Sequence, residues 1–485
     1  MNDQSLAKRL AAGPLARMGL LDDAACRAAA DLIGRVENSG LETIRVLFAD
    51  QHGILRGKTL VTSAVESVFM RGLAAPSTLL LKDTAHRTVF PVWDGGSDSP
   101  MQGAGDILMV PRPTDFYELP WSPHSAWLLC DPVMKDGTNI PFAPRHLLRQ
   151  AIAQLKDAGL SMLVGLEVEF HVFEVTDPAL DHIDATMPPR APATRNLSQG
   201  WQFLTDGHYS RLEPIMDELR RNCAALGLPV RSTEVEMGPS QFEFTFDPAE
   251  PMTHADNMVI FRTMVKEVCA LRGLHATFMC RPVVDNCAAS GWHLHQSLQD
   301  ASSGKALFIP QTDGVLTAQA SGWIAGLLEH AAATCLLTTP TVNGYKRYQP
   351  HQLAPDAIAW GRDNRGTMIR ALMTPGDSAS RIENRVAEPT ANPYLFFASQ
   401  IICGLDGITR SLVAPDACET PYAGGLQKLP ADLGAALAAF EGSTLYRAVW
   451  GDEVVDYLLR LKRAEWRRYL DTLSAWEQDE YFSLY

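Results

Sequence analysis

Two glutamates alternate with apolar residues in one short stretch, and this pattern limits what the chain can fold into. Residues 165–170 read Gly-Leu-Glu-Val-Glu-Phe. Successive side chains of a strand point to opposite faces, so Glu167 and Glu169 share one face and the apolar residues share the other. Adjacent carboxylates repel each other and lose hydration when they are buried. The stretch predicts either an edge strand with a solvated acidic face or a buried strand whose carboxylates flank a divalent cation.

The composition excludes several classes of protein. The chain has 485 residues, 46% hydrophobic and 20% charged, which is typical of a globular protein with at least two domains. Its net charge of −14 argues against an extended surface for nucleic acid or anionic membrane. The nine cysteines include no Cys-x-x-Cys pair, which favours reduced thiols. We see neither a signal peptide nor an apolar run that could span a bilayer, and we expect a cytoplasmic protein.

Changes of pattern divide the chain into three predicted parts. Residues 1–40 are rich in alanine and predict an N-terminal helical extension. Residues 41–138 predict a small, mostly β domain with a hairpin turn at 50–53. Residues 139–485 predict a large second domain of mixed helices and strands. We expect helices near 145–158, 211–226, 256–272, 317–336 and 451–482, and loops at 94–106 and 177–200.

Further polar side chains share strand faces in the same way. Taken alone, a His-x-His pair is more often a polar strand face than a metal site, and Arg-x-Glu-x-Arg can be a cross-strand ion-pair ladder. Together they would gather carboxylates, imidazoles and guanidinium groups in one fold. The sets are Gln241 with Glu243, His293 with His295 and Ser297, Arg381 with Glu383 and Arg385, and the cations Lys346, Arg347, Arg365 and Arg370.

This collection of side chains favours one kind of chemistry. Oxygen ligands with a single imidazole suit Mg²⁺ or Mn²⁺ better than Zn²⁺. Arginine binds phosphate and carboxylate groups through two parallel hydrogen bonds. Paired divalent ions with arginines are the equipment of phosphoryl transfer, in which catalysis consists mostly of positioning and charge neutralisation.

Two other motifs are rejected on the sequence. Residues 53–59 nearly spell a phosphate-binding P-loop, but the first glycine is missing and the segment predicts strand-turn-strand without a following helix. A di-iron helical bundle needs Glu-x-x-His, which occurs nowhere in the chain.

From about residue 41 onward, the motifs and their order resemble the glutamine synthetases and related glutamate–amine ligases. The resemblance rests on Gly-x-Glu-x-Glu-Phe at 165–170, Gly-Pro-Ser-Gln-Phe-Glu at 238–243, Ser-Gly-Trp-His-Leu-His at 290–295, Asn-Gly-Tyr-Lys-Arg at 343–347, Arg-Ile-Glu-Asn-Arg at 381–385 and Ala-Asn-Pro-Tyr at 391–394. It implies an α+β fold, with a small N-terminal β-grasp-like domain and a large C-terminal catalytic domain. The catalytic domain would contain a curved antiparallel sheet with helices.

The resemblance also implies a metal centre with two or three Mg²⁺ or Mn²⁺ ions. Its members would be Glu169, Glu236 and Glu243 around one ion, and Glu167, His293 and Glu383 around a second. The sequence leaves Glu234 as an alternative to Glu236. We prefer Glu236 for its seven-residue spacing to Glu243.

The same resemblance implies roles in binding the substrates, L-glutamate, ATP and an amine. Glutamate would contact Arg347, Arg385 and Glu169; ATP would contact His295, Ser297, Arg365, Arg370 and Arg381; and catalysis would depend on Asp50, Arg365 and Arg385. Asp50 would receive the amine's proton in the active site of a neighbouring subunit. This implies a homo-oligomer, which we expect to be a dodecamer of two stacked hexameric rings.

Two departures from the family pattern bear on the amine. Ammonia-using members carry Asn-Gly where this chain has Ala288 and Ala289, and a glutamate that holds ammonium where it has Leu353. Full burial of that leucine would contribute about 1.5–3 kcal/mol of apolar stabilisation. Asp50 and Leu353 would thus border a pocket for an alkylamine, arylamine or polyamine, joined to the γ-carboxylate of glutamate through a γ-glutamyl phosphate. The alternatives are an ammonia-using glutamine synthetase and a non-catalytic regulator or structural protein.

Overall fold

The computed structural model describes residues 3–93, 101, 103–349 and 353–485, so most of the loop predicted at 94–106 lies outside the described residues. Helices occupy the Ala-rich N-terminal segment. These are α1 (Asp3–Ala11), α2 (Pro14–Arg17) and α3 (Asp23–Glu37). Helix α3 begins after Asp22, whose side chain accepts a hydrogen bond from the Ala25 N–H at 2.7 Å. All nine cysteines of the chain are free.

A mixed five-stranded sheet follows. Its elements are β1 (Thr43–Ala49), β2 (Leu55–Val61), α4 (Val65–Arg71), β3 (Leu73–Pro76), β4 (Asp106–Glu118) and β5 (Ser125–Val133). The strand order is β2-β1-β5-β4-β3, in which β1 and β5 are parallel and the other pairs antiparallel. The predicted hairpin joins β1 to β2. Residues 55–59 lie within β2, so the near-match to a P-loop belongs to a strand.

The second part of the chain is built on a nine-stranded sheet with helices. Its elements in chain order are α5 (Pro144–Asp157), β6 (Leu160–Asp177), β7 (Ala193–Asn196), α6 (Asp206–Ala225), β8 (Val230–Val235), β9 (Gln241–Ala249), α7 (Pro251–Leu271), β10 (Leu274–Thr277), β11 (Trp292–Asp300), α8 (Ala318–Glu329), α9 (Ala331–Thr338), β12 (Trp360–Arg362), β13 (Ile369–Leu372), β14 (Arg381–Asn384), α10 (Pro393–Thr409), α11 (Leu433–Glu441), α12 (Thr444–Leu470) and α13 (Ala475–Tyr481).

Strand β6 is the centre of this sheet. The order is β12-β13-β14-β11-β6-β9-β8, and β7 and β10 also pair with β6. All named pairs are antiparallel except β12 with β13. The mixed helix-and-sheet architecture confirms the predicted α+β class.

The apolar face of β6 supports the opposite, acidic face. Leu166, Val168 and Phe170 are at most 1% exposed. The Phe170 ring contacts the rings of Phe244 and Phe261 with centroids 5.7 Å apart, and α7 supplies Phe261. Burying such side chains contributes about 1.5–3 kcal/mol each, which fixes the face on which Glu167 and Glu169 lie.

Three predicted elements differ in extent. The helix expected at 317–336 is interrupted at His330, whose Nε2 lies 2.8 Å from Oδ2 of Asp406. The loop at 177–200 contains β7. The C-terminal helix begins earlier, at Thr444, and is kinked where Gly451 has a φ of +81°. None of the helices within the described residues is long and apolar enough to cross a membrane.

Candidate active site

The register of the central strands brings predicted site residues together. In the β6–β11 pair, Glu167 lies opposite His293. In the β6–β9 pair, Glu169 lies opposite Glu243. Residues directly opposite each other on antiparallel strands have neighbouring side chains on the same face. One face of the sheet therefore carries these four polar groups.

The first group comprises Glu167, His293 and Glu383, each of which offers a ligand atom within 4.8 Å of the others. Nδ1 of His293 lies 3.2 Å from Oε2 of Glu167 and 3.7 Å from Oε1 of Glu383. Burial lowers the pKa of His293 to about 4, with Arg385 acting in the same direction. The imidazole is therefore neutral at pH 7, which is the form that binds metals.

A second group comprises Glu169, Glu236 and Glu243. Burial and the neighbouring Glu236 raise the pKa of Glu169 to about 8. Burial, Glu169 and Glu236 raise the pKa of Glu243 well above its usual range. Burial also raises the pKa of Glu236, which shares a hydrogen bond with Glu243. Ionising all three carboxyl groups is therefore unfavourable unless a cation compensates their charge.

The geometry distinguishes Glu234 from Glu236. Glu234 lies opposite Glu243 in the β8–β9 register, but its Oε1 accepts a hydrogen bond from Oγ of Ser232 at 2.7 Å. Glu236 lies just beyond the end of β8, and its carboxyl group hydrogen-bonds Glu243. The structure thus brings Glu236 into the second group.

Two arginines hold the fully buried carboxylate of Glu383. Arg370 Nη1 donates to its Oε2 at 3.1 Å, and Arg385 Nη1 contacts its Oε1. Burial is the largest single effect and opposes ionisation of Glu383, but Arg385, His293 and His295 together outweigh it and lower the pKa below its usual value. Glu383 is therefore an ionised acceptor at pH 7.

His295 continues the polar row. Its Nε2 lies 2.7 Å from Oε1 of Glu167, and its Nδ1 accepts a hydrogen bond from Nε of Arg381 at 3.0 Å. The acceptor role of Nδ1 places the ring proton on Nε2, which donates to Glu167. Burial alone would raise the pKa of Glu167, but hydrogen bonds from both histidines hold it below its usual range. Ser297 lies half-buried farther along β11.

Arg347 is buried behind His293. Its Nη1 donates to the Arg385 carbonyl at 2.8 Å, and its Nη2 lies 3.4 Å from Nε2 of His293. A Cβ on Gly291 would lie 2.4 Å from Nη2, so only glycine leaves room for this guanidinium. The buried Nε finds no hydrogen-bond partner within the described residues. An unpaired buried donor of this kind is suited to a substrate carboxylate.

Within the described residues, the side chains of Arg365, Leu353 and Asp50 make no hydrogen bond or ion pair with these groups. The Arg365 side chain is exposed, although its carbonyl accepts a hydrogen bond from Arg385 Nε at 3.1 Å. Leu353 is 47% exposed, so the predicted burial is not reached within one chain. Its carbonyl lies 3.5 Å from Arg385 Nη2. The buried Asp50 carboxylate pairs with Arg56 at 2.8 Å and stays in its own hairpin.

Sequence reasoning missed the role of Gln241. This buried residue donates from Nε2 to Oε2 of Glu169 at 3.1 Å and to Oγ of Ser290 at 3.0 Å. Its Oε1 accepts from the Gly238 N–H at 2.8 Å. The Gly291 N–H also donates to Oε2 of Glu169, at 3.0 Å. One oxygen of Glu169 is therefore fixed by the protein, which aims the other oxygen into the site. The alternation of Gln241 with Glu243 was the available signal.

The donor set fits divalent cations. Six buried or half-buried groups supply five carboxylates and one neutral imidazole, which is the chemistry that Mg²⁺ and Mn²⁺ accept. In the Glu169–Glu236–Glu243 group, the raised pKa values report repulsion and desolvation that a cation would relieve.

Fold and site together define the class of this protein. Residues 141–481 match the family described as glutamine synthetase, catalytic domain. The chain therefore belongs to the glutamine synthetase family. Enzymes of this family use ATP and divalent metal ions, and the chain is an ATP-dependent ligase of this family.

Curated relatives match nearly the whole chain. The gamma-glutamylanilide synthase of Acinetobacter sp is 38% identical, over 94% of this chain and 96% of the relative. The gamma-glutamylethanolamide synthetase of Streptomyces coelicolor is 32% identical, over 92% of this chain and 94% of the relative. The glutamine synthetase of Halobacterium salinarum is 31% identical over the same shares.

The solved structure of a GmaS/ADP complex has a similar fold. Its TM-score is 0.78 at 26% identity, and the match covers 93% of this chain and 99% of that one. The resemblance deduced from the motifs is thus confirmed.

Proposed function

We propose that this protein joins the γ-carboxylate of L-glutamate to an organic amine at the expense of ATP. A carboxylate oxygen of glutamate attacks the γ-phosphorus of ATP, which gives γ-glutamyl phosphate and ADP. The amine nitrogen then attacks the acyl carbon, phosphate leaves, and the nitrogen loses a proton. The observation that carries this proposal is the gathering of both carboxylate groups on one face of the nine-stranded sheet, where arginines contact Glu383 and His293.

The metal ligands follow from this arrangement. Glu167, His293 and Glu383 would hold one ion, and Glu169, Glu236 and Glu243 would hold another. We propose two or three ions per active site, and these are Mg²⁺ or Mn²⁺. Bound ions of this kind neutralise charge on phosphate oxygens. The protein contributes prealigned ligands, because Gln241 and the Gly291 N–H already fix Glu169.

The arginines would divide between the two anionic substrates. Arg347 has an unpaired buried Nε and lies beside His293, which suits a glutamate carboxylate, with Arg385 and Glu169 completing the contacts. Arg365 is exposed and free to turn toward phosphate. The other residues proposed to contact ATP are Arg370, Arg381, His295 and Ser297. Arg365 and Arg385 would neutralise charge that develops during phosphoryl transfer.

The amine would be larger than ammonia. Leu353 supplies no negative charge to hold ammonium, and Ala288 with Ala289 replaces the polar pair typical of ammonia-using members. The names of two relatives include anilide and ethanolamide products, which supports an alkylamine, arylamine or polyamine here.

The ring assembly belongs to the same proposal. Within the described residues the Asp50 carboxylate contacts its own hairpin and not the carboxylate groups of its own chain, so its proposed role requires the site of a neighbouring subunit. We expect a dodecamer of two stacked hexameric rings with active sites at subunit interfaces, working in the cytoplasm. We also propose that the chain divides into a helical extension (1–40), a β-grasp-like domain (41–138) and a catalytic domain (139–485).

An amine panel tests the function. The purified protein would be incubated with ATP, Mg²⁺, L-glutamate and either ammonia or an alkylamine, arylamine or diamine, and ADP release and γ-glutamylamide would be measured. We expect an organic amine to give the highest kcat/KM. A higher value for ammonia than for every organic amine would show that the protein is a glutamine synthetase. ATP binding without ADP release under any amine would support a non-catalytic role.

A further inference from the structure

Four large apolar side chains are exposed at one edge of the site. Trp201, Phe203 and Leu204 precede α6 and are 49–56% exposed, and Met237 follows β8 and is 38% exposed. Single exposed apolar residues are common, but contiguous ones mark binding surfaces. We call Trp201, Phe203, Leu204 and Met237 the apolar edge.

Hydrogen bonds attach the apolar edge to the second carboxylate group. The Trp201 backbone N–H donates to the Met237 carbonyl at 2.6 Å, and the Met237 N–H donates to Oε2 of Glu236 at 3.2 Å. The Leu204 N–H donates to the carbonyl of Val235, which is adjacent to Glu236 in the chain. The apolar edge therefore begins one peptide away from a proposed metal ligand.

The indole of Trp201 is held in a defined position. Its Nε1 donates to the Asn286 carbonyl at 3.2 Å, although the ring is half exposed. Asn286 begins the segment that contains Ala288, and Ala288 N lies 3.1 Å from where a Cβ on Gly238 would be. Trp201 thus connects the loop after β8 with the segment in which the Asn-Gly pair of ammonia-using members is missing.

Backbone strain concentrates at this place. Trp201, Leu204, Ser240 and Asn286 all have φ values between +55° and +59°, a conformation that non-glycine residues rarely adopt. Ser240 belongs to the same region, because its Oγ accepts a hydrogen bond from the Leu197 N–H at 2.6 Å. Clustered residues of this kind persist where a binding or catalytic function requires the geometry.

We propose that Trp201 determines amine specificity by stacking against the aromatic ring of an arylamine substrate. This inference rests on the proposed ligase function and names the amine class for the same site. A fixed, half-exposed indole offers a flat face, and aromatic pairs are stabilised beyond what burial alone gives. The thioether of Met237 also makes favourable contacts with aromatic rings.

The protonation state of arylamines agrees with the shortage of unpaired negative charge near the proposed amine pocket. The nitrogen that attacks γ-glutamyl phosphate must be uncharged, and an arylamine is already neutral at pH 7 whereas an alkylamine is protonated. In this chain the predicted proton acceptor, Asp50, is paired with Arg56, and Leu353 stands where a carboxylate would hold ammonium. An amine that arrives neutral needs no carboxylate at Leu353 to hold a positive charge and loses no proton before it attacks, although its nitrogen still gives up one proton as the amide forms.

The test compares aniline with cyclohexylamine, which has a ring of similar size but is aliphatic and protonated. Full-length wild type, Trp201→Ala, Trp201→Phe and Trp476→Ala would be assayed with both amines, ATP, Mg²⁺ and L-glutamate. Trp476 is the matched control because it is also an exposed tryptophan, at 62%, on the C-terminal helix α13.

We expect wild type to prefer aniline, and Trp201→Ala to lower the ratio of kcat/KM for aniline to that for cyclohexylamine by about 10- to 200-fold. Trp201→Phe should keep most of the preference, because a phenyl ring also stacks, and Trp476→Ala should match wild type. If Trp201→Ala fails to fold, Trp201→Phe is compared with Trp201→Leu. We then expect the ratio of kcat/KM for aniline to that for cyclohexylamine to fall only in Trp201→Leu.

The outcomes separate this inference from the ligase function. Equal loss for both amines in the folded variants, or a wild-type preference for cyclohexylamine, would overturn the role of Trp201 while leaving the ligase intact. Absence of ADP release with every amine in wild type would overturn the proposed function itself, and the inference with it.

Discussion

Glu243 lies directly opposite Glu169 on neighbouring antiparallel strands, and both side chains are buried. Burial raises the pKa of each, and the like charges around them act in the same direction. Like charges in this position destabilise a sheet unless something of opposite sign lies between them. The protein therefore holds a pair that is unfavourable on its own, and this gives the metal proposal a consequence for stability.

The first prediction concerns Glu243→Gln. Without metal, the variant should gain about 1–3 kcal/mol in free energy of unfolding at pH 7, because a buried, repelled carboxyl group is replaced by a neutral amide. It should also lose the rise in Tm that Mg²⁺ or Mn²⁺ gives to the wild type. Thermal unfolding in EDTA and in added metal measures both effects.

Glu174→Gln is the matched control for that experiment. Glu174 is also on β6, but it is exposed and paired with Arg195. Its metal-dependent rise in Tm should equal that of the wild type. A full metal response in Glu243→Gln would contradict the assignment of Glu243 as a ligand.

The second prediction concerns Glu383, which two arginines share. Glu383→Ala leaves Arg370 and Arg385 without their common buried carboxylate, and removing one partner of a buried ion pair costs about 3–5 kcal/mol. Urea unfolding in EDTA measures this loss. Glu419→Ala is the control, since its exposed pair with Arg362 contributes only about 0–1 kcal/mol. Similar losses in both variants would contradict the structural role of Glu383.

The third prediction concerns ammonia. Leu353→Glu introduces a carboxylate where ammonia-using members carry one, so the ratio of kcat/KM for ammonia to that for an organic amine should rise by about tenfold. Val413→Glu adds the same charge at a residue that is 81% exposed and has no proposed role. An unchanged ratio in Leu353→Glu would remove Leu353 from the amine pocket.

The fourth prediction concerns pH and His254. This residue is buried, and burial lowers its pKa to about 4 although its Nε2 contacts the Asp247 carbonyl at 2.8 Å. Between pH 6.5 and pH 4 the unfolded chain binds a proton that the folded chain does not. His254 should therefore make stability fall by about 3 kcal/mol as the pH falls through this window.

Urea unfolding at several pH values compares wild type with His254→Gln, in which that part of the pH dependence should be missing. His124→Gln, a change at an exposed histidine on the surface, should follow the wild-type profile. A wild-type profile in His254→Gln would show that another group titrates there.

The sequence predicted the strands of the site because their period is simple. Glu167 with Glu169 and His293 with His295 each alternate with buried apolar residues, and a two-residue period assigns them to one face. The helix break at His330 was not predicted, because the apolar pattern continues across it and the partner of the imidazole, Asp406, lies far along the chain. Nor did periodicity reveal β7, whose four residues are all exposed and depend on pairing with β6.

The site itself was predictable where residues share a strand face and unpredictable where loops meet. Trp201 follows a Pro-rich segment and has no periodic neighbours. Its position depends on Met237 and Asn286, which lie far along the chain. Likewise, Arg56 forms an ion pair with Asp50, and the sequence pattern of the hairpin does not predict this pair.

The pairing of β6 with β11 has one further consequence. A slip of one residue would turn His293 and His295 toward the apolar interior and send Trp292 and Leu294 into the crevice. The apolar side chains packed on the opposite face of the sheet therefore fix the strand register that aligns the catalytic side chains. Substitutions that disturb this packing should abolish activity before they unfold the protein.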